Sequence, residues 1–255
     1  MSVAEHAERV DTAAREARAI AQFPEGSFDT ETAYAIQASS VANRLERGER
    51  LVGVKMGFTS RAKMAQMGID QMIWGRLTSG MLVEEGGDVD LARYVHPRVE
   101  PEVAFLIGKP LTGHVTPAEA QAALSGVAPA LEIIDSRYAD FRFSLPNVIA
   151  DNSSSSGFVV GPWSPPDTDV STLGMVMSFN GQAVAIGSSA AILGHPIRSL
   201  VAAAAMAGEA GITLEPGFIV LAGGATAAEP LRPGVRVSLA VERLGSVSFR
   251  VRGAK

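Results

Sequence analysis

The sequence predicts an α+β protein, a curled mixed β-sheet or barrel with helices packed outside it. Three observations carry that expectation. Two amphipathic helical stretches stand at the front of the chain, strands and hairpins fill the rest without regular βαβ alternation, and no fixed repeat or linker divides the 255 residues. Residues 1–50 are therefore expected to form an N-terminal helical layer, and 51–255 a β-rich core, within one domain spanning 1–255.

Composition narrows the function. The chain is 47% hydrophobic with 19% charged residues and a net charge of −5, so it can bury a sizeable core and presents no basic field for nucleic acid. With no cysteine, a disulfide scaffold, a thiolate metal site and a cysteine nucleophile are all excluded. The polar, acidic start Met1–Arg9 is unlike a secretory signal, and the most apolar run, Leu200–Gly208, is too short to span a bilayer. The expectation is a cytoplasmic protein with neither a membrane nor a nucleic-acid partner.

Residues 3–22 predict a helix, with Val3, Val10, Ala14, Ala17 and Ile20 on one side, broken by Pro24–Ser27. Asp29 or Thr30 caps a second helix running to about Arg47, with Tyr34, Ala38, Val41 and Leu45 as its stripe. Leu51–Phe58 is an apolar strand with one charge, Lys55, between Gly53 and Gly57. By pattern that lysine either snorkels outward, the favoured reading, or meets an anion. Ser60 caps a short helix over 61–67, and Asp70–Gly80 is expected as a turn-rich connector containing Trp74. Met81–Val83 leads into a solvated acidic turn, Glu84–Asp88.

Val95–Ile107 begins polar and turns apolar, as a strand does on entering a core. Glu100 and Glu102 fall on one face of it, about 7 Å apart. Two carboxylates so close repel each other unless a divalent cation with a taste for oxygen ligands joins them. A solvated strand entrance is the alternative. Thr116-Pro117 starts a helix ending near Gly126, and Val127–Ile134 is a second apolar strand carrying one acid, Glu132. Three acids in apolar strands are harder to assign to the surface than two. The four serines Ser153–Ser156 suit a linker or a hydroxyl-rich anion site. Asn180-Gly181 predicts a type I′ hairpin between 174–179 and 182–186. An alanine-rich helix follows over about 196–209, then strands at 218–221, 235–241 and 247–251, the first followed by a turn at Gly223–Thr226. No dinucleotide fingerprint, phosphate loop or nucleophile elbow is present. His6, His96, His114 and His195 lack zinc spacing, and His96 is expected to be structural.

Five stretches together resemble a known family. They are Gly53–Ser60, His96–Glu102, Pro129–Glu132, Ala150–Ser155 and Gly223–Ala228. In that order, covering nearly the whole chain, they are similar to the fumarylacetoacetate hydrolase superfamily, in its branch of hydratases and decarboxylases of meta-cleavage pathways. The resemblance implies that family's curled mixed sheet or barrel. It implies that Glu100, Glu102 and Glu132 hold one Mg²⁺ or Mn²⁺ and that Lys55, against the snorkelling pattern, projects into the site as a catalytic group. A lysine beside a divalent cation and partly desolvated is expected to have a lowered pKa. Met67, Ile73, Asn152, Ser154 and Thr226 are implied as substrate-binding residues. Pro101 departs from the family pattern and has no N–H to donate, so its position is expected at an edge, a bulge or a bond free of pairing.

Within the branch, Ile73 stands where hydratases place a second acid that handles water, whereas Asp70 keeps hydration open. The implied activity is metal-dependent decarboxylation of 2-oxo-3-hexenedioate to 2-hydroxypenta-2,4-dienoate and CO₂. The alternatives are hydration of that dienoate, hydrolysis of an acylpyruvate, and an idle partner subunit. The implied partners are a small 2-oxo dicarboxylate, further copies of the chain, and a hydratase of the same pathway.

Overall fold

The computed structural model describes residues 1–60 and 71–253. The helix expected over 61–67, with Met67 and Asp70, lies outside those residues. Five helices are described, α1 (Val3–Arg15), α2 (Thr30–Glu46), α3 (Pro117–Ala122), α4 (Leu145–Ala150) and α5 (Ile197–Glu209). The strands in chain order are β1 (Leu51–Gly57), β2 (Ile73–Thr78), β3 (Asp88–Asp90), β4 (Arg98–Ile107), β5 (Leu124–Ile134), β6 (Ser155–Val160), β7 (Gly174–Phe179), β8 (Gln182–Ser188), β9 (Ile219–Leu221), β10 (Glu229–Pro230), β11 (Arg236–Val241) and β12 (Gly245–Arg252). They form two mixed sheets, β2-β1-β9-β4-β5-β6 with β10 beside β4, and β3-β12-β11-β7-β8. The parallel pairs are β1 with β9 and β3 with β12.

Alternation along β4 decides what each face of the first sheet does. Val99, Val103 and Phe105 point into the main core, shared with Val237, Leu239, Val247 and Phe249 of the second sheet. Glu100, Glu102 and Ala104 point the other way. Glu100 lies opposite Glu132 in the antiparallel register, and Glu102 opposite Ala130. Ala104 is in register with Leu221 of β9, and Leu221 with Lys55 of β1, so the lysine shares the face of the acids. The neighbours there are small: Ala104, Ala128 and Ala130.

Pro101 fits this topology. Its carbonyl accepts from the Ala225 N–H at 2.9 Å on the side away from β5. It falls between the part of β4 paired to β10 and the part paired to β9, so the missing N–H breaks no ladder.

The helical layer differs from its sequence expectation in detail. Helix α1 stops at Arg15 and Ala17 takes a positive φ of 49°. Beyond it Ile20 bridges to Tyr138, tying the layer to the core. Helix α2 is capped by Asp29, which accepts from the Thr32 N–H at 2.8 Å. It buries Ala33, Ile36, Gln37, Ser40 and Val41, while Leu45 stays exposed. The buried face is rotated because Gln37 is a polar pin: its amide donates to the Trp74 and Ile149 carbonyls at 3.1 and 2.9 Å and accepts from the Arg76 guanidinium at 2.5 Å. Ala7, Ala33 and Ile36 then pack on Ile73, Val148 and Ile149, so the layer backs one wall of the site cavity.

The expected connector at 70–80 is instead the wholly buried strand β2 over Ile73–Thr78. Gly75 and Arg76 interrupt its apolar pattern. Burial of Arg76 is made tolerable by Gln37 and by stacking 4.6 Å over the Trp74 ring. The hairpin of β7 and β8 turns at Asn180 and Gly181, both with positive φ as a type I′ turn requires.

Candidate metal centre and cavity

Glu100, Glu102 and Glu132 each offer one carboxylate oxygen, and these atoms lie within 4.8 Å of one another. Glu102 and Glu132 are fully buried. Three uncompensated carboxylates in that space would repel strongly and lose hydration they need. Lys55 supplies one cation: its Nζ lies 3.1 Å from Glu132 Oε2 and donates to the Ser153 carbonyl at 3.1 Å, with the side chain buried. The snorkelling pattern is thus not what the lysine adopts. One positive charge does not balance three. Glu102 Oε1 and Glu132 Oε1 are buried without a hydrogen-bond partner among the described residues, and three converging carboxylates are the donor set that a hard divalent cation takes.

The backbone holds these oxygens in place. Gly223, at φ 104°, donates its N–H to Glu102 Oε2 at 2.7 Å. A Cβ on Gly223 would run into Thr59, and one on Gly224 would sit 2.8 Å from the Glu100 carboxylate. The Gly-Gly pair is therefore a requirement of close approach beside two of the three acids.

Protonation follows the crowding. Burial, then the charges of Glu132 and Glu100, push the Glu102 carboxyl well above the carboxylate range, and burial raises Glu132 despite Lys55 beside it. Burial works against the Lys55 ammonium, but Glu132, Glu102 and Glu100 outweigh it and raise its pKa. The lowered lysine pKa expected from sequence belongs to the lysine beside a bound cation, whose charge would offset the acids that raise it here. A testable consequence follows by linkage. The folded cation-free protein binds protons at these carboxyls more tightly than the unfolded chain, so their contribution to stability declines as pH rises above the ordinary value of 4.5. A cation needs them ionised, so its affinity rises over the same interval. The gain in melting temperature on adding Mg²⁺ over EDTA is expected to grow from about pH 5 to pH 8. A gain independent of pH would count against these ligands.

A cavity of about 470 Å³ opens beside the acids. Lys55 and Glu100 line it, together with Phe58, Ile73, Arg98, Ile134, Phe141, Phe143, Val148, Ser153 and Ser154. Glu102 and Glu132 lie deeper. Ile73, expected at the substrate, is on the wall, and Ser154 lines the cavity with a buried Oγ that has no partner among the described residues.

Asn152 is placed differently. Its side chain accepts from the Arg76 N–H at 2.8 Å and donates to the Arg76 carbonyl at 2.9 Å, so it clamps the serine loop to β2 and is not among the cavity-lining residues. That clamp holds three successive left-handed residues, Asn152, Ser153 and Ser154, at φ 49°, 52° and 61°. Each is a strained conformation for a residue with a side chain. Together they turn the Ser153 carbonyl toward Lys55. Gly75 makes the clamp possible, since a Cβ there would lie 2.5 Å from the Asn152 carbonyl oxygen. The run is a buried structural segment and not a linker. Below it Asp151 is buried against Arg137, which donates to it from both backbone and side chain, and burial pushes its carboxyl up to about 6. Thr226 is also not on the cavity wall; its Oγ1 donates to the Ala227 carbonyl at 3.0 Å.

Two cavity cations, Arg98 and Arg142, are not singled out by the sequence pattern. A signal for Arg98 exists in the alternation that places residues 98, 100 and 102 on one strand face.

Comparison with known proteins finds similarity along the whole chain. The family model "Fumarylacetoacetate (FAA) hydrolase C-terminal" matches residues 51–252. A 4-oxalocrotonate decarboxylase of a Pseudomonas species is 60% identical over 256 residues, covering 100% of both chains. One from Pseudomonas putida is 40% identical, covering 98% of this chain and 96% of that one. The solved structure of 4-oxalocrotonate decarboxylase from Pseudomonas putida G7, complexed with magnesium and adipate, superposes with a TM-score of 0.92 at 38% identity, covering 98% of this chain and 97% of that one.

Proposed function

The chain belongs to the fumarylacetoacetate hydrolase family, and from that membership we propose that it is a divalent-cation-dependent carboxy-lyase. It acts on 2-oxo-3-hexenedioate and releases CO₂ and 2-hydroxypenta-2,4-dienoate, residues 1–255 working as one catalytic domain. One observation carries the reading. Three converging carboxylates, two of them buried with oxygens that lack a hydrogen-bond partner among the described residues, lie with a lysine against Glu132 beside a largely apolar cavity, in a chain 60% identical from end to end to a 4-oxalocrotonate decarboxylase. The complex of the Pseudomonas putida G7 relative with magnesium and adipate supports a hard cation and a six-carbon dicarboxylate as occupants.

Glu100, Glu102 and Glu132 would hold Mg²⁺ or Mn²⁺. Bound there, the cation supplies Lewis acidity toward the 1-carboxylate and 2-oxo oxygen. The C5–C6 bond breaks, C6 leaves as CO₂, and the electron pair runs through the enone to the 2-oxo oxygen, which takes up one proton. Lys55 serves that oxygen as a buried ammonium, able to offset the developing charge and to give up a proton. The left-handed serine loop fixes its direction through the Ser153 carbonyl. Ile73, Val148 and Phe143 keep water from the reacting carbons, and Ile73 offers no base to activate it. Hydration is therefore the weaker reading. The extension to a cytoplasmic oligomer, alone or with a hydratase that consumes the dienoate, rests on family likeness. No helix among the described residues is long and apolar enough to cross a membrane.

The test is an assay of the purified protein with Mg²⁺ and 2-oxo-3-hexenedioate, following CO₂ and absorbance, beside a sample given 2-hydroxypenta-2,4-dienoate. CO₂ release that stops with EDTA, with the dienoate left unhydrated, is expected. Hydration without CO₂ release would transfer the chain to the hydratases.

A further inference from the structure

We propose that Arg98 is the specificity residue of this site, reading the far carboxylate of the substrate and so selecting a 2-oxo dicarboxylate over a 2-oxo monoacid of the same length. The inference rests on the reading above that a 2-oxo acid binds with its keto-acid end at the acidic triad.

Position comes first. Arg98 precedes Glu100 by two residues on β4, so it leaves the sheet on the same face, about 7 Å nearer the strand entrance. Glu102 is the deep end of that row and fully buried, Glu100 is partly exposed, and Arg98 is partly exposed at the start of the strand. Arg98 and Glu100 line the same cavity. A six-carbon chain has five C–C bonds of about 1.5 Å each, so its two ends are roughly 6–7 Å apart when extended. A substrate anchored at the triad thus brings its other end within reach of this guanidinium.

The state of the guanidinium points the same way. It lies 4.5 Å over the ring of Phe141 and pairs with no carboxylate among the described residues. Phe141 is held beneath it by an unusual backbone, since Asp140 and Phe141 take positive φ values of 58° and 56°. Phe141 also packs against His96 and Phe143, at 5.2 and 5.7 Å between ring centres. The neighbouring wall is apolar: Phe143, Ile134 and Val148. A half-buried arginine steered by an aromatic ring into an apolar cavity lacks only an anion, and a carboxylate is the planar partner its fork fits. Arg142 lines the same cavity but is exposed, so water screens it.

This placement has a kinetic signature. The carboxylate that Arg98 holds is the one that departs as neutral CO₂, so the ion pair is stronger in the bound ground state than at the transition state. Removing it raises KM without lowering kcat.

The experiment uses the Mg²⁺-loaded protein and two unreactive saturated ligands, 2-oxoadipate and 2-oxohexanoate, which share the keto-acid end and differ at the far end. Wild type is expected to bind the diacid at least 10-fold more tightly. In Arg98→Gln that preference should fall below about 3-fold through loss of diacid affinity alone, with Mg²⁺ and monoacid affinity retained, and Arg98→Lys should recover part of it. Turnover of 2-oxo-3-hexenedioate by Arg98→Gln should show a raised KM and an undiminished kcat. Retention of the preference in Arg98→Gln, or equal weakening of both ligands, would overturn the inference while leaving the decarboxylase reading intact. If neither ligand binds wild type, the 2-oxo acid reading fails and this one with it.

Discussion

Replacing Glu102 with glutamine is expected to abolish metal-dependent turnover, with divalent-cation affinity falling by about 100-fold or more, while the protein remains folded. The size follows from what the carboxylate does. It is fully buried, its Oε1 has no partner among the described residues, and its Oε2 accepts from the Gly223 N–H. Glutamine keeps an oxygen for that N–H and matches the volume, but removes the charge a hard cation needs. The same change relieves the cation-free protein, because burial and two neighbouring acids already oppose ionisation at this position. Its melting temperature in EDTA should therefore equal or exceed that of wild type, and the increase on adding Mg²⁺ should vanish. Titration calorimetry with Mg²⁺, thermal melts with and without the cation, and the CO₂ assay check all three. Full activity in this variant would remove Glu102 from the ligand set.

The triad is legible in the sequence and much of its surroundings is not, for a physical reason. Glu100, Glu102 and Glu132 interrupt apolar strands at positions where alternation alone puts two of them on one face, and acids so placed demand compensation. The register that sets Glu132 opposite Glu100 is tertiary information, and only the family resemblance anticipates it. Strand β2 is hidden because Gly75 and Arg76 look like turn and surface until Asn152 and Gln37 are seen to need them. The stripe on α2 is displaced for the same reason: a buried Gln37 breaks the apolar count but makes three hydrogen bonds across two elements. Asn152, expected at the substrate, instead builds the loop that aims the Ser153 carbonyl at Lys55. Its motif is readable and its role is not, since a side chain that clamps backbone and one that binds ligand look alike in sequence.

Lys55 carries the second large effect. Lys55→Met is expected to lower turnover by about 10²- to 10⁴-fold, the range of a lost general acid, while changing Mg²⁺ affinity by less than about 10-fold. The two quantities separate because the lysine and a cation meet the acids differently. The ammonium pairs with Glu132 among them, at 3.1 Å, while oxygens from all three acids converge where a cation would sit. Methionine keeps the unbranched apolar stem and ends one atom short of the ammonium, so the loss is chiefly one of charge and of a proton. In EDTA the variant should melt below wild type, since Glu132 is then left buried without its counter-charge, a change that costs about 3–5 kcal/mol when one partner of a buried pair is removed. Mg²⁺ should narrow that gap only in part, by no more than about 1.4 kcal/mol for an affinity gain of up to tenfold, because a divalent charge at the triad takes over part of the role of the missing ammonium. The stabilisation by Mg²⁺ is thus expected to be larger in Lys55→Met than in wild type, in a protein that turns over far more slowly. Equal losses of turnover and of metal affinity would instead make Lys55 a support for the site rather than a participant in the reaction.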